Sequence, residues 1–340
     1  MIIPYRIQQR LKRLGVALLV IAVVLAVVLL CWFLWLDRYV VYTRDGAVFD
    51  FERSSEELRG EPAIPPGEED LISIYFNEGE DAVETGTDLS QMIGYYIDYN
   101  ALLKGTDTIK QQLDALPAGT AVMLELKSSY GAAYYNSSTI AYRPSGGVDP
   151  AMVDDLIRYM NKKNLYTIAG VSALHDYCYA LDHQQYGLDD DRGYLWLSGE
   201  DNYYWLDPTE EGTVSYLIDI ANELRVLGFR EVVFLEFIVP EGNHVAFSSD
   251  RRAILEALAQ NLLLSCGNNT FAVSFETTGE FTLPEGRTRV YKTGVDAIEA
   301  KNIAEASGVE DVVTKLVFIT DLYDTRFDEY SVLRPLSFAG

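Results

Sequence analysis

The sequence predicts an α/β protein in which residues 90–340 form a (β/α)8 barrel of the TIM type behind an N-terminal transmembrane helix. From about residue 90, short apolar segments alternate with helical patterns, which favours a parallel sheet with right-handed crossovers. Such a barrel takes about 250 residues, which suits this part of the chain. An open, doubly wound sheet is the alternative, but no glycine-rich phosphate loop follows any strand candidate.

Seven segments after residue 90 have the length and apolar character of buried strands. They are Gly94–Asp98, Ala121–Leu126, Tyr166–Ser172, Glu231–Phe237, Phe271–Glu276, Arg289–Thr293 and Thr314–Thr320. Helices are expected between most of them, at Thr108–Leu116, Asp149–Lys163, Asp207–Leu227, Arg251–Leu264 and Ala297–Ala306. After Glu276 only 64 residues remain for three repeats. The barrel is therefore expected to be shortened or irregular at its C-terminal end, or to include Leu71–Phe76.

The clearest helix signal follows Trp205. Asp207 can cap a helix, Pro208 suits its first turn, and Glu210 completes a capping box. Gly228 provides a left-handed stop, and a buried strand with Glu236 at its end follows. In (β/α)8 barrels the chemistry lies at the C-terminal ends of the strands.

The N-terminal segment predicts a membrane anchor. Gly15 to Leu36 is 22 residues long and uncharged, enough to cross a hydrocarbon core of about 30 Å. The basic residues before it predict a cytoplasmic tail at 1–14 and an extracytoplasmic C-terminal domain. A cleaved signal peptide is the alternative, but the apolar segment is long and ends in bulky residues. Residues 37–89 are interpreted as a hairpin around Arg44–Gly46 and an acidic, proline-containing spacer.

Charge and composition exclude several classes of function. Residues 1–36 hold four basic and no acidic residues, so the remainder has 23 basic against 51 acidic residues and a net charge of −28. Such a field disfavours nucleic-acid binding. Cys178 and Cys266 either pair or remain buried thiols. The three histidines have no close metal-ligand spacing, so no metal or other cofactor is expected.

Several stretches together resemble a bacterial family of glycoside-hydrolase domains, TIM barrels related to α-amylase-like glycosidases. These stretches are Ala121–Gly131, Leu165–Val171, Trp205–Pro208, Ile218–Ala221, Leu227–Phe229 and Val273–Glu276. The resemblance covers roughly residues 90–280 and depends on their order and spacing. It implies a carbohydrate-acting or carbohydrate-binding domain.

The sequence departs from that family on the fourth strand. The family typically reads Phe-Asp-Tyr-Val-Arg-Phe-Pro there, and the resemblance implies that the aspartate is its catalytic carboxylate. In this chain that aspartate falls on Leu235 and the arginine on Ile238. Glu236 comes one residue later, so strand alternation predicts that it points away from the barrel interior unless a bulge re-aims it. The basic residue usual on the third strand is also absent near Gly170.

Carboxylates at strand ends are the candidate catalytic groups, because glycosidases usually need two of them. The candidates are Glu276, Glu236 and Glu125, with Asp98 at the end of the first strand. Glu276 has the best support, since it matches the carboxylate of the family's fifth strand. Residues predicted to bind substrate, by ring stacking or by a hydrogen bond, are Tyr194, Trp196, Tyr203, Tyr204, Trp205 and His175.

Two functions follow from the sequence. The first is a membrane-anchored, extracytoplasmic glycosidase that acts on cell-wall or environmental polysaccharide. The second is a barrel without catalysis that binds glycan or a protein partner, and Leu235 favours it because a leucine cannot transfer a proton. A purely structural wall-associated domain is a third class. The expected partners are a polysaccharide or cell-wall glycan and, through residues 15–36, the lipid bilayer.

Overall fold

The computed structural model describes residues 40–43, 46–49, 89–199 and 201–336. They fall into two units, a hairpin before residue 62 and a barrel after it, which are described separately. The segments 1–14 and 15–36, most of the spacer and Leu71–Phe76 lie outside the described residues. Within the described ranges, no helix is long and apolar enough to cross a membrane.

The hairpin consists of β1 (Val40–Thr43) and β2 (Gly46–Phe49), paired antiparallel. Val40 lies opposite Phe49, and Thr43 lies opposite Gly46. Gly46 belongs to the second strand and pairs with Thr43.

In residues 89–336, eight parallel strands close into a barrel, which confirms the predicted (β/α)8 barrel. The strands are β3 (Ile93–Ile97), β4 (Ala121–Lys127), β5 (Tyr166–Ser172), β6 (Glu231–Leu235), β7 (Ala272–Glu276), β8 (Val290–Thr293), β9 (Leu316–Ile319) and β10 (Ser331–Pro335). The helices are α1 (Tyr99–Leu103), α2 (Thr106–Asp114), α3 (Pro150–Lys162), α4 (Tyr177–Asp182), α5 (Glu211–Val226), α6 (Arg251–Cys266), α7 (Ala300–Ala306) and α8 (Val312–Lys315).

The last repeats of the barrel along the chain have short helices, as the small number of residues after Glu276 predicts. Helices α7 and α8 have 7 and 4 residues, and a 3-10 turn at Thr325–Phe327 precedes the last strand. The sequence prediction missed this eighth strand, β10. It pairs in parallel with β9 and with β3, where Val332 lies opposite Ile93, and thereby closes the barrel.

Two apolar layers surround the strands. The side chains inside the barrel include Met123, Ile168, Val233, Tyr291 and Leu333. A larger layer lies between the strands and the helices, and the buried face of α5, with Leu217, Ile220 and Leu224, is part of it. Inward and outward side chains alternate along each strand, so every second residue near a strand's C-terminal end faces the mouth of the barrel.

Helix α5 starts later than the capping signals predict. It begins at Glu211, and its N-cap residue Glu210 makes no side-chain capping hydrogen bond. The Asp207 carboxylate instead accepts the N–H of Thr209 at 2.8 Å, a local turn that competes with a helix cap. The capping-box prediction is therefore wrong. The helix stop is confirmed, since Gly228 has a φ of +93°.

A buried polar network fills the N-terminal end of the barrel. The Glu231 carboxylate accepts hydrogen bonds from Arg289 Nη1 at 2.6 Å, Tyr166 Oη at 2.9 Å, Tyr291 Oη at 2.9 Å and Ser274 Oγ at 2.6 Å. Glu231 and Arg289 are almost fully buried, and burial of such a pair is tolerated only when its hydrogen bonds are satisfied. Tyr166 and Glu231 begin their strands, so this network lies at the end opposite the C-terminal mouth.

Candidate active site

A cavity of about 320 Å³ lies at the C-terminal mouth of the barrel. Residues at or just beyond the ends of seven of the eight strands contribute to it. The polar residues that line it are Tyr96, Asp98, Glu125, Lys127, Ser128, Ser129, Ser172, Glu236, Glu276 and Thr293. All three predicted catalytic carboxylates are therefore brought to one cavity.

Glu125 lies near the end of β4. Its Oε2 accepts the backbone N–H of Tyr99 at 2.9 Å. Burial raises the pKa of the Glu125 carboxyl, against the effect of the Tyr99 hydrogen bond, and the charges of Asp98 and Glu236 raise it further. Asp98 itself caps α1 by accepting the N–H of Ala101 at 2.8 Å. Glu125 is thus the carboxyl of this cavity that keeps its proton to a higher pH than usual.

Glu236 does not point away from the cavity, and the expected outward orientation is wrong. Strand β6 ends at Leu235, and Glu236 takes a left-handed backbone conformation with a φ of +52°. This conformation costs a residue other than glycine on the order of 1–3 kcal/mol. It breaks the alternation of the strand, so that Leu235 and Glu236 both line the cavity. A single left-handed residue thus turns the Glu236 side chain toward the cavity, as a bulge would.

Glu276 ends β7 and is held by two donors. The backbone N–H of Glu236 donates to its Oε2 at 2.7 Å, and the hydroxyl of Thr293 donates to its Oε1. These two hydrogen bonds fix the orientation of the carboxylate. Burial lowers the pKa of the neighbouring Lys292 to about 8, opposed by the charge of Glu276. Glu276 and Glu236 are therefore directly connected through a backbone hydrogen bond.

The side chain of Glu236 is anchored on the β5 side of the mouth. Ser172 Oγ lies 2.5 Å from its Oε2, and His175 Nδ1 lies 2.8 Å from its Oε1. The opposite ring nitrogen of His175, Nε2, lies 3.0 Å from Asp201 Oδ2, within ion-pair distance but without hydrogen-bond geometry. His175 is 5% exposed and does not line the cavity. Its contacts are with carboxylates of the protein, and its predicted contact with substrate stays a prediction.

The predicted aromatic residues lie outside the lining of the cavity. Trp205 and Trp196 are buried, and Trp196 donates from Nε1 to the Asn243 carbonyl at 3.0 Å, so both hold the long third loop in place. Tyr194 is 69% exposed. Tyr203 and Tyr204 are half-buried and both contact the ring of Tyr177. Substrate binding by these rings stays a prediction, one that requires a ligand extending beyond the cavity.

Sequence reasoning missed a buried ion pair beside the cavity. Lys127 Nζ lies 2.8 Å from Asp176 Oδ2, both side chains are fully buried, and Lys127 lines the cavity. Lys127 also donates to the Ser172 carbonyl at 2.6 Å, while Tyr216 Oη donates to Asp176 at 3.0 Å. A lysine at the end of an apolar strand was the only available signal. The pair fixes the ends of β4 and β5, from which Ser172 reaches Glu236.

Leu235 occupies the position of the family's strand aspartate and faces inward, as alternation predicts. A Cβ on Gly170 would come 3.3 Å from Leu235 Cδ1 and 3.5 Å from Met123 Sδ. The space opposite Leu235 is thus taken by apolar atoms. Two departures from the family, at 170 and 235, therefore fit each other as one apolar contact.

Residues 101–256 match a family model described as a putative glycosyl hydrolase domain. This part of the barrel is similar to that domain. The resemblance inferred from the sequence is thereby confirmed. No curated protein matches the chain at a significant level.

Solved structures similar to this domain include glycosidases. A hypothetical protein from Ruminiclostridium thermocellum is 19% identical, with a TM-score of 0.44, over 53% of this chain and 96% of its own. An α-galactosidase from Thermus thermophilus is 12% identical, with a TM-score of 0.41, over 55% of this chain and 38% of its own. A chitobiase from Flavobacterium johnsoniae is 9% identical, with a TM-score of 0.46, over 67% and 38%. The chain thus spans about two fifths of the length of these two glycosidases.

Proposed function

We propose that the barrel cleaves a glycosidic bond of a polysaccharide at its C-terminal mouth. One observation carries the proposal: Glu125, Glu236 and Glu276 come from three different strands and line one cavity. Convergence of carboxyl groups at the mouth of a (β/α)8 barrel is the arrangement that glycoside hydrolysis requires. The match to a glycosyl hydrolase domain gives independent support.

Glu125 is the general acid of this proposal. A general acid must carry a proton at the working pH, and burial raises the pKa of Glu125. Its side chain would donate that proton to the oxygen of the leaving sugar. The charge of Glu236, which also raises the pKa, helps to keep the proton on Glu125.

Glu276 is the proposed carboxylate that faces the developing positive charge on the sugar ring. Its two donors, the Glu236 N–H and the Thr293 hydroxyl, hold the carboxylate at the cavity. Glu276 would act either as the nucleophile or as the base that activates water. Glu236 lies between the acid and this carboxylate and couples to both.

The proposed substrate is a cell-wall or environmental glycan, and the proposed location is the outer face of a membrane. The uncharged segment 15–36 and the basic residues before it support this orientation. Protease added to intact cells is expected to digest the chain beyond residue 37. Full protection of the chain in intact cells, with digestion after lysis, would show that the orientation is wrong.

Glycan binding without hydrolysis is the second candidate, and Leu235 favours it. Leu235 stands where the family has its catalytic aspartate, and the basic residue usual on the family's third strand is absent near Gly170. In this case the carboxylates would bind sugar hydroxyls by accepting hydrogen bonds. Binding and hydrolysis share the cavity and differ in whether product appears.

The test uses the purified full-length chain in detergent, with peptidoglycan and a panel of α- and β-linked 4-methylumbelliferyl glycosides. Release of reducing ends or of fluorophore, lost in Glu276→Gln, is expected. Retained hydrolysis in Glu276→Gln would remove this residue from the mechanism. Binding of a glycan by calorimetry without any product would establish the second candidate.

A further inference from the structure

We propose that His175 is a positioning residue that holds the Glu236 carboxylate in the cavity. The inference rests on the proposed function, because it assigns Glu236 a place beside the general acid. It concerns a residue that does not itself line the cavity. Four features of the structure carry it.

The left-handed backbone conformation of Glu236 requires stabilising contacts. The preceding residues Val232–Leu235 favour continued strand, in which Glu236 would face outward, yet its φ is +52°. Left-handed conformations of residues other than glycine persist when the surroundings over-determine them. Here the backbone N–H of Glu236 reaches Glu276, and the side chain reaches His175 and Ser172. These contacts act at both ends of the residue.

The imidazole that holds Glu236 is itself fixed. Its ring stacks on Trp205 with the centroids 4.0 Å apart and the planes 3° apart. Tyr203 lies against the same ring at 5.3 Å with the planes tilted by 58°. His175 and Trp205 also form an antiparallel bridge through their backbones. A ring locked in this way directs Nδ1 toward Glu236 with little freedom to turn.

The far side of the ring meets a second carboxylate. Asp201 Oδ2 lies 3.0 Å from Nε2, and Asp201 comes from the same loop as Trp205 and Tyr203. The order Asp201, His175, Glu236 runs from the partly exposed loop to the cavity. Nε2 makes no hydrogen bond to this carboxylate, so the ring is held by its contact at Nδ1 and by its stacking on Trp205. The long third loop thus acts on the site through His175.

The consequence for the reaction is electrostatic. The groups facing Glu125 are Asp98, Glu236, Tyr134 and the N–H of Tyr99. Of these, Glu236 is the one whose position His175 controls. Moving its carboxylate away would remove a negative charge that keeps the proton on Glu125. His175 is therefore expected to contribute to the pH dependence of the reaction through the position of Glu236.

The experiment compares His175→Phe, His175→Asn and Glu236→Gln in the full-length chain on the substrate hydrolysed by the wild type. Phe keeps a ring against Trp205 but has no donor, whereas the Asn amide places a donor near the position of Nδ1. His175→Phe is expected to lower kcat about 100-fold, as misplaced groups do, with KM little changed. Its alkaline limb of kcat/KM should move to lower pH, as in Glu236→Gln. His175→Asn should recover part of both effects.

His183→Phe is the matched control, because His183 also packs against a ring, Tyr179, at 4.5 Å but in a different part of the loop. An unchanged pH profile in His175→Phe, or an equal change in His183→Phe, would overturn the inference while leaving the proposed hydrolysis intact. If the wild type hydrolyses nothing in the panel, the proposed function fails. Crystal structures then decide the positioning: a Glu236 carboxylate that stays in the cavity in His175→Phe would refute it, and one that leaves would confirm it.

Discussion

Replacing Glu125 by glutamine tests the assignment of the general acid most directly. The Tyr99 N–H donates to Glu125 Oε2, and a glutamine carbonyl can accept the same hydrogen bond. The variant therefore keeps the shape and the backbone contact and loses the transferable proton. General acid catalysis contributes about 10²–10⁴-fold, or about 2.7–5.4 kcal/mol at 1.36 kcal/mol per decade. Hydrolysis of the glycan is expected to fall by that factor.

The assay measures kcat/KM from pH 4 to pH 9 on the glycan and on an aryl glycoside whose leaving group needs little protonation. In the wild type, activity falls as pH rises through the raised pKa of Glu125, because the acid form is lost. Glu125→Gln should lack that limb and should lose less activity on the aryl glycoside. Glycan hydrolysis within about twofold of the wild type, with the limb intact, would refute the assignment of the acid.

Stability provides the control for Glu125→Gln. A carboxyl whose pKa is raised in the folded state contributes stability that is present below its unfolded pKa, about 4.3, and is lost as pH rises through the folded value. A glutamine does not ionise, so the variant does not lose this stability as pH rises. The variant should therefore melt at the same temperature as the wild type or higher near pH 8, and lost activity cannot then be attributed to unfolding.

Three further predictions concern the surroundings of the cavity. Lys127→Met leaves Asp176 buried without its cation and should lower the free energy of unfolding, measured in urea titrations, by about 3–5 kcal/mol. A loss below about 1 kcal/mol would contradict this expectation. Leu235→Asp should destabilise the fold by about 1–3 kcal/mol, because its carboxylate would face the apolar space at Gly170, and it should not restore activity to Glu276→Gln. The pKa of Lys292 is about 8 in the folded chain and about 10.4 unfolded, so the wild type should gain stability relative to Lys292→Met as pH rises between these values; a flat difference would contradict the burial of its charge.

The sequence was sufficient for most of the barrel because buried parallel strands are apolar and short, and seven of them carry that signal. It failed at β10, Ser331–Pro335, where serine, arginine and proline interrupt the pattern. This segment is a strand because β9 and β3 both offer it hydrogen-bonding partners. The strand conformation of β10 therefore depends on closure of the barrel, which joins segments far apart in the sequence. The predicted start of α5 was wrong for a local reason, because the Asp207 carboxylate accepts the N–H of Thr209 instead of capping the helix.

For the site, the sequence by itself determined that Glu125, Glu236 and Glu276 stand at the C-terminal ends of strands. It also placed Leu235 inward, which the structure confirms. Only the tertiary structure decided Glu236. Its left-handed backbone depends on a hydrogen bond to Glu276, 40 residues away, and on His175, 61 residues away, neither of which acts within the strand. Local preference favoured an outward side chain, and contacts between distant segments turned it into the cavity.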